Sequence, residues 1–279
     1  MSVTGAPDWL EAAYVRAAQE AKCTAPRERI EQAAAALVER WCSPGRICHG
    51  LKHLADVLTR VDELAPGTQA PPLVRLAAFY HGAVFDDDSE AADAEDGTAD
   101  GAEADTADAE VTALGPVLGG CNREDAVAGA ELARRDLTGL GLAPDRVERV
   151  VALITLLRGW RPLGPDPDSA VLRDATLGLL AHEPQRYTEY IRQLQEENPG
   201  LTRRAFLERR AALIEHLLAL PSIYGSPGAA EWESSADQNL RAELARTRKA
   251  ITALAVLDDD AALEAEQTGS PQREAPVAV

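Results

Sequence analysis

Three histidines in the first third of the chain carry the side chains best suited to chemistry. His49 and His53 stand four residues apart in Arg46-Ile47-Cys48-His49-Gly50-Leu51-Lys52-His53. At that spacing on a helix both imidazoles leave one face, so they can share a metal ion, or one can ligate while the other touches substrate. The same pair is also an ordinary surface or core feature. His81 closes the run Leu76-Ala77-Ala78-Phe79-Tyr80-His81-Gly82-Ala83-Val84-Phe85-Asp86. A divalent ion held by such imidazoles would act as a Lewis acid.

The elements that must position these residues read as helices throughout. Asp8 can cap a helix to about Lys22, with Trp9, Ala13 and Val15 on a buried side. Pro26 suits the first turn of a second, through Trp41, with Ile30, Ala34, Leu37 and Trp41 on one face. A third spans about His49 to Leu64 and a fourth Leu73 to Phe85. Helical pattern resumes from Asn122 to Leu137 and again after Pro144-Asp145. Later helices fall near Val171–Ala181, Pro184–Glu196, Thr202–Leu220 and Ala229–Leu257. No strand alternation and no internal repeat are found. The fold expected is all-α.

Residues 86–121 break this pattern. They hold twelve acidic residues and no basic one, two thirds of the chain's net charge of −18. With nothing large and apolar before Val111, the stretch cannot offset its ordering entropy, so a disordered acidic insertion is expected. Residues 1–257 therefore read as a single helical domain interrupted by 86–121, and 258–279 as a flexible tail. The remaining charge leaves no basic patch, so nucleic acid is not an expected partner. Four cysteines without a paired spacing read as reduced thiols, and Cys48 and His49, as neighbours on a helix, are expected to point apart. No apolar run approaches the length of a membrane span. A cytoplasmic protein without membrane contact is expected.

The order Arg-x-x-His-x-Leu-x-His, about 28 residues, then an apolar helix ending His-x-Ala-Val-Phe-Asp, resembles one branch of the HD superfamily. Proteins of that branch are described as predicted metal-dependent phosphohydrolases. Asn122-Arg123-Glu124-Asp125-Ala126, Val150-Val151-Ala152-Leu153-Ile154 and Asp174-Ala175-Thr176-Leu177 resemble further motifs of the branch. So do Pro184-Gln185-Arg186-Tyr187-Thr188-Glu189-Tyr190 and Pro221-Ser222-Ile223-Tyr224. The likeness covers roughly 8–250 without the insertion and implies an HD-domain-like helical bundle. It also implies a divalent metal (Mn, Fe, Co, Zn or Mg) on His49, His81 and Asp174, with Glu124 and Asp86 as candidate catalytic acids.

The departures lie in that site. Gly82 stands where the family's His-Asp doublet has its carboxylate, and Thr176 replaces a second acid after Asp174. Leu157-Arg158-Gly159-Trp160 stands where the branch has Thr-x-His-His. Restoring the doublet by Gly82→Asp is expected to raise metal affinity if the other ligands are in place. The resemblance thus implies a divergent HD-superfamily protein with a degraded metal site. Such a protein would be weakly active or non-catalytic, and would bind a phosphorylated small molecule, or a protein partner through the acidic insertion. The alternative is an active divalent-metal-dependent phosphohydrolase on nucleotide-like or other phosphate esters.

Overall fold

Prolines stand at or beside most of the helix starts, and apolar stripes set what the helices bury. The computed structural model describes residues 7–85, 123–157 and 166–268, with side chains described except at 8, 123–125 and 257–268. The expected insertion, the Arg158-Gly159-Trp160 departure and the end of the tail lie outside the described residues. Those residues contain ten α-helices and no strand.

Helix α1 (Asp8–Glu20) and α2 (Arg27–Arg40) pack together, and α1 also lies on α4 (Pro71–Tyr80). In α4 every residue from Leu73 to Tyr80 except Arg75 is buried. A helix apolar on nearly all sides belongs at a centre. It contacts α1, α3 (Leu51–Leu64), α5 (Arg123–Gly139), α6 (Pro144–Leu156) and α7 (Pro167–Leu177). The Tyr14 and Tyr80 hydroxyls meet at 2.7 Å inside this core, and Tyr14 stands edge-on to Phe79. Asp168 fixes the start of α4, accepting from the Gln69 and Ala70 amides at 2.7 and 3.1 Å and from Arg149 at 2.9 Å.

The second half is built from α8 (Pro184–Glu196), α9 (Arg203–Ala219) and α10 (Glu233–Thr268), joined to α7 by a 3-10 turn over Gly178–Ala181. Thr202 caps α9, its hydroxyl accepting from the Ala205 amide. Helices α9 and α10 pack along each other around a buried ion pair. Arg210 donates to both oxygens of Glu243 at 2.8 and 2.7 Å, and Tyr187 of α8 donates to the same carboxylate at 2.5 Å.

Several expectations shift. Helix α3 starts at Leu51, after Gly50 as its N-cap, so His49 precedes the helix that was expected to carry it. Helix α4 ends at Tyr80, with His81 as its C-cap, five residues before the expected end. Trp9 is 44% exposed, and Leu10, Tyr14, Ala17 and Ala18 supply the buried face of α1 instead. Helix α10 continues to Thr268, past the point where a flexible tail was expected to begin.

Candidate functional site

Helix α2 ends at Arg40, and Trp41 turns inward as its C-cap. The indole is 1% exposed and donates from Nε1 to the Phe79 carbonyl at 2.9 Å, which ties the end of α2 to the last turn of α4. Gly45, at φ +87°, uses the left-handed region open to glycine to reverse the chain before Arg46. Arg46 then pins the loop: it donates to the carbonyls of His49 and Gly82 at 2.9 Å each, and its guanidinium lies over the Trp41 and Phe85 rings. This brings the two histidine-bearing segments together.

The imidazoles form a row. The His49 and His53 ring centroids are 5.2 Å apart, and those of His53 and His81 5.7 Å. Trp41 flanks the row, 5.5 Å from His81 and 6.3 Å from His53. His49 and His53 are neighbours, although across a loop-to-helix junction and not as an i, i+4 helical pair, and it is His53 that stands against His81. His81 donates from Nδ1 to the Ala78 carbonyl at 2.6 Å, which fixes the neutral tautomer with its proton on that nitrogen. Burial, with the nearby positive charges of His49 and Arg46, pushes the His81 pKa down to about 4, against the rise from its Ala78 hydrogen bond. His53 is lowered too, by burial first and then by His49 and His81.

Glu197, the C-cap of α8, closes the other side of the loop. Its Oε1 accepts from three successive backbone amides, Ile47 at 2.8 Å, Cys48 at 3.2 Å and His49 at 3.1 Å. Three amides aimed at one oxygen make an anion-binding nest. Its Oε2 accepts from the Cys48 thiol at 2.6 Å and from His49 Nδ1. Burial alone would raise the Glu197 pKa, but His49, Cys48 and the backbone amide outweigh it and hold the carboxyl at about 2. The Cys48 thiol is pushed strongly up by burial and by the adjacent Glu197 charge, so unaided it stays protonated and is no nucleophile.

Cys48 and His49 were expected to point apart as helical neighbours. They do not: Cys48 Sγ lies 3.2 Å from His49 Nδ1, because both precede α3 and the nest curls their side chains to one side. Among the described residues, Cys48, His49 and Glu197 form the one group of three ligand-type side chains whose ligand atoms lie within 4.8 Å of one another.

No family model, curated protein or solved structure matches the chain.

The expected ligands His49, His81 and Asp174 are not gathered into such a group. Asp174 is fully buried on α7 and spends its carboxylate on the next loop. Both oxygens take the Gly225 amide at 3.0 Å, and one also takes the Ser226 amide at 2.6 Å. It acts as a clamp on residues 225–226. The space beside Gly82 is also taken. A Cβ built on Gly82 would lie 2.7 Å from Cη2 of Trp41, so the indole occupies the direction a doublet carboxylate would need. These residues do not fit an HD-type metal centre. Asp86 lies outside the described residues, and of Glu124 only the backbone, in the first turn of α5, is described.

Next to the histidine row, α3 and α8 flank a cavity of about 270 Å³. Lys52, Arg60, Arg186 and His182 line it together with Gln185, Gln193 and Tyr190, against two acids, Asp56 and Glu189. Arg60 is 9% exposed and donates to the Ala175 carbonyl at 3.5 Å and to His182 Nε2. His182 caps the Gly178–Ala181 turn and faces the cavity, its pKa pushed down to about 4 by burial, then by Arg60 and Arg186. Sequence reasoning missed Glu197, the Cys48 contact and this lining. Gln185, Arg186, Glu189 and Tyr190 fall in a segment that carried the resemblance, but no role was attached to them.

These histidines make stability depend on pH. His81 and His182 have folded values near 4 against 6.5 ordinarily. Below pH 6.5 the unfolded chain takes up protons that the folded chain refuses. Their contribution is therefore full above about pH 6.5 and is lost as pH falls toward 4. Asp174, raised by burial, works in the opposite sense at the acid end. Lowering pH from 7 to 5 should cost about 2 kcal/mol or more, read as a fall in the urea midpoint. The His182→Gln variant should show a shallower fall. An identical midpoint at the two pH values would contradict this reading.

Proposed function

We propose that the protein is a divergent member of the HD superfamily whose doublet site is closed and whose α3/α8 cavity binds a small phosphorylated molecule without metal-dependent hydrolysis. The observation that carries this reading is the composition of the cavity wall. In a chain of net charge −18, three cations and two neutral amides converge on one recess of about 270 Å³, outnumbering the two acids there, Asp56 and Glu189. Arginine and lysine recognise phosphate by charge-assisted hydrogen bonds, and amide side chains suit the hydroxyls of a small ester. The volume lies just under the usual range for drug-sized ligands, which favours a single phosphate on a small carrier. The Trp41 ring against Gly82 supports the loss of hydrolysis, since no carboxylate fits there.

A second reading, an active divalent-metal phosphohydrolase, is favoured by one feature. His81 donates Nδ1–H to a carbonyl, the posture of a metal-ligating histidine. The Asp174 clamp and the filled position beside Gly82 weigh against it.

The test is calorimetric titration of the full chain with inorganic phosphate, a triose phosphate and a nucleoside monophosphate. One of the three should bind saturably. Lys52→Gln and Arg186→Gln should each weaken it about tenfold, the loss of one charged contact of ~1.4 kcal/mol. Arg186 pairs with Asp56 at 3.2 Å across a half-exposed contact, so its removal should leave the fold intact. Affinity unchanged in both variants would reject the cavity as the site.

A further inference from the structure

We infer that Cys48, His49 and Glu197 form a zinc site at the head of the α3/α8 cavity, distinct from the ligand set His49, His81 and Asp174 that the family resemblance implies. Thiolate, imidazole and carboxylate together are a borderline-soft set that suits zinc over magnesium or calcium. Around a tetrahedral zinc with bonds of about 2.0–2.3 Å, sulfur and nitrogen ligands stand roughly 3.3–3.6 Å apart. Cys48 Sγ and His49 Nδ1 already stand 3.2 Å apart, whereas Glu197 Oε2, 2.6 Å from Sγ and hydrogen-bonded to Nδ1, must draw back by roughly 1 Å to admit the ion.

The carboxylate is already oriented. Three amides hold Oε1 of Glu197, which turns Oε2 toward the sulfur and the imidazole. Fixing one carboxylate oxygen from outside so that the other faces the ion is the support that metal ligands ordinarily receive. Burial matters as well, because the Cys48, His49 and Glu197 side chains are shielded while Cys48 also borders the cavity. Water from that cavity supplies the fourth ligand.

Charge and protons balance. Zinc entry displaces two protons to solvent, that of the Cys48 thiol and the one His49 Nδ1 donates to Glu197 in the metal-free cluster; His49 then keeps a proton on Nε2 alone, leaving Nδ1 to ligate. Thiolate and carboxylate then neutralise the dication. Without the ion, the same three groups remain as the hydrogen-bonded cluster described above. The ion would tie the Ile47–His49 loop to the end of α8, setting the width of the cavity mouth.

This inference does not rest on the phosphate reading, because it is read with metal alone. Full-length protein stripped with chelator is titrated with Zn²⁺ and, separately, with Co²⁺. The expected results are one zinc per chain and an intense near-ultraviolet thiolate-to-cobalt band. Cys48→Ala should abolish the band, and Glu197→Gln should weaken zinc binding at least tenfold. His81→Ala, outside the ligand set, should leave the affinity within about twofold. Absence of the thiolate band in the unaltered protein overturns the site without recourse to any variant. So does a band that survives Cys48→Ala, which would assign it to another cysteine. Far-ultraviolet circular dichroism of each variant checks that the helices persist.

Discussion

Gly82→Asp is expected to destabilise the protein and to leave its affinity for Mn²⁺ unchanged. From the sequence, that substitution looks like a restoration, returning a metal-binding carboxylate to a position that has lost it. The structure reverses the expectation. The first atom of the new side chain would lie 2.7 Å from Trp41 Cη2, with two more ring atoms at 3.3 and 3.4 Å. Trp41 cannot give way cheaply, since it is 1% exposed, donates to the Phe79 carbonyl and lies under Arg46. Overpacking costs about 1–3 kcal/mol, and a carboxylate forced against an indole adds desolvation, for a total of roughly 3 kcal/mol or more. Gly82→Ala should pay the steric part alone. On a Trp41→Leu background the penalty of Gly82→Asp should shrink, because the opposing ring is gone, and a double-mutant cycle reads that coupling. A Gly82→Asp protein with an unchanged urea midpoint and a new tight Mn²⁺ site would show that the ring does not fill the position.

The second large effect lies away from the site. Removing either member of the Arg210–Glu243 pair should cost about 3–5 kcal/mol, because the partner is left as an uncompensated buried charge. Arg210 is 1% exposed and Glu243 4%, and Tyr187 donates to the same carboxylate, so neither charge has water to fall back on. The pair joins α9 to α10, and Tyr187 extends the network to α8, the helix that flanks the α3/α8 cavity and is capped by Glu197. Glu243→Leu and Arg210→Met singly should lower the midpoint sharply. Together they should cost less than either alone, since the double variant buries no charge. Additive losses would mean that the pair is not coupled as described.

The helical architecture was legible because its signals are local. Pro26, Pro71-Pro72, Pro144 and Pro184 stand at or beside the starts of α2, α4, α6 and α8, and Thr202 caps α9. That His49 and His53 lie side by side was legible from their spacing, although the helix invoked for it starts after His49, and no feature of the chain tells that His53 meets His81. Glu197 was not. It meets Cys48 across 149 residues of sequence, and a glutamate before Asn198-Pro199-Gly200 reads as an ordinary helix end. The Cys48–His49 contact was misread because helix α3 was begun two residues early, and that turned a loop nest into a helical face. Trp41 was placed on a core face, but nothing in the chain tells that its ring reaches the turn after α4. A glycine at 82 signals a missing carboxylate and a close approach equally well, and only the packing decides between them.

The account is most directly tested by holding the full chain with saturating phosphate ester and added Mn²⁺, and following ester and inorganic phosphate together by ³¹P NMR. It predicts a shifted or broadened ester signal that titrates to saturation, with no phosphate released beyond the protein-free control. Steady release of inorganic phosphate over many turnovers, lost in His81→Ala, would contradict it and restore a working metal centre.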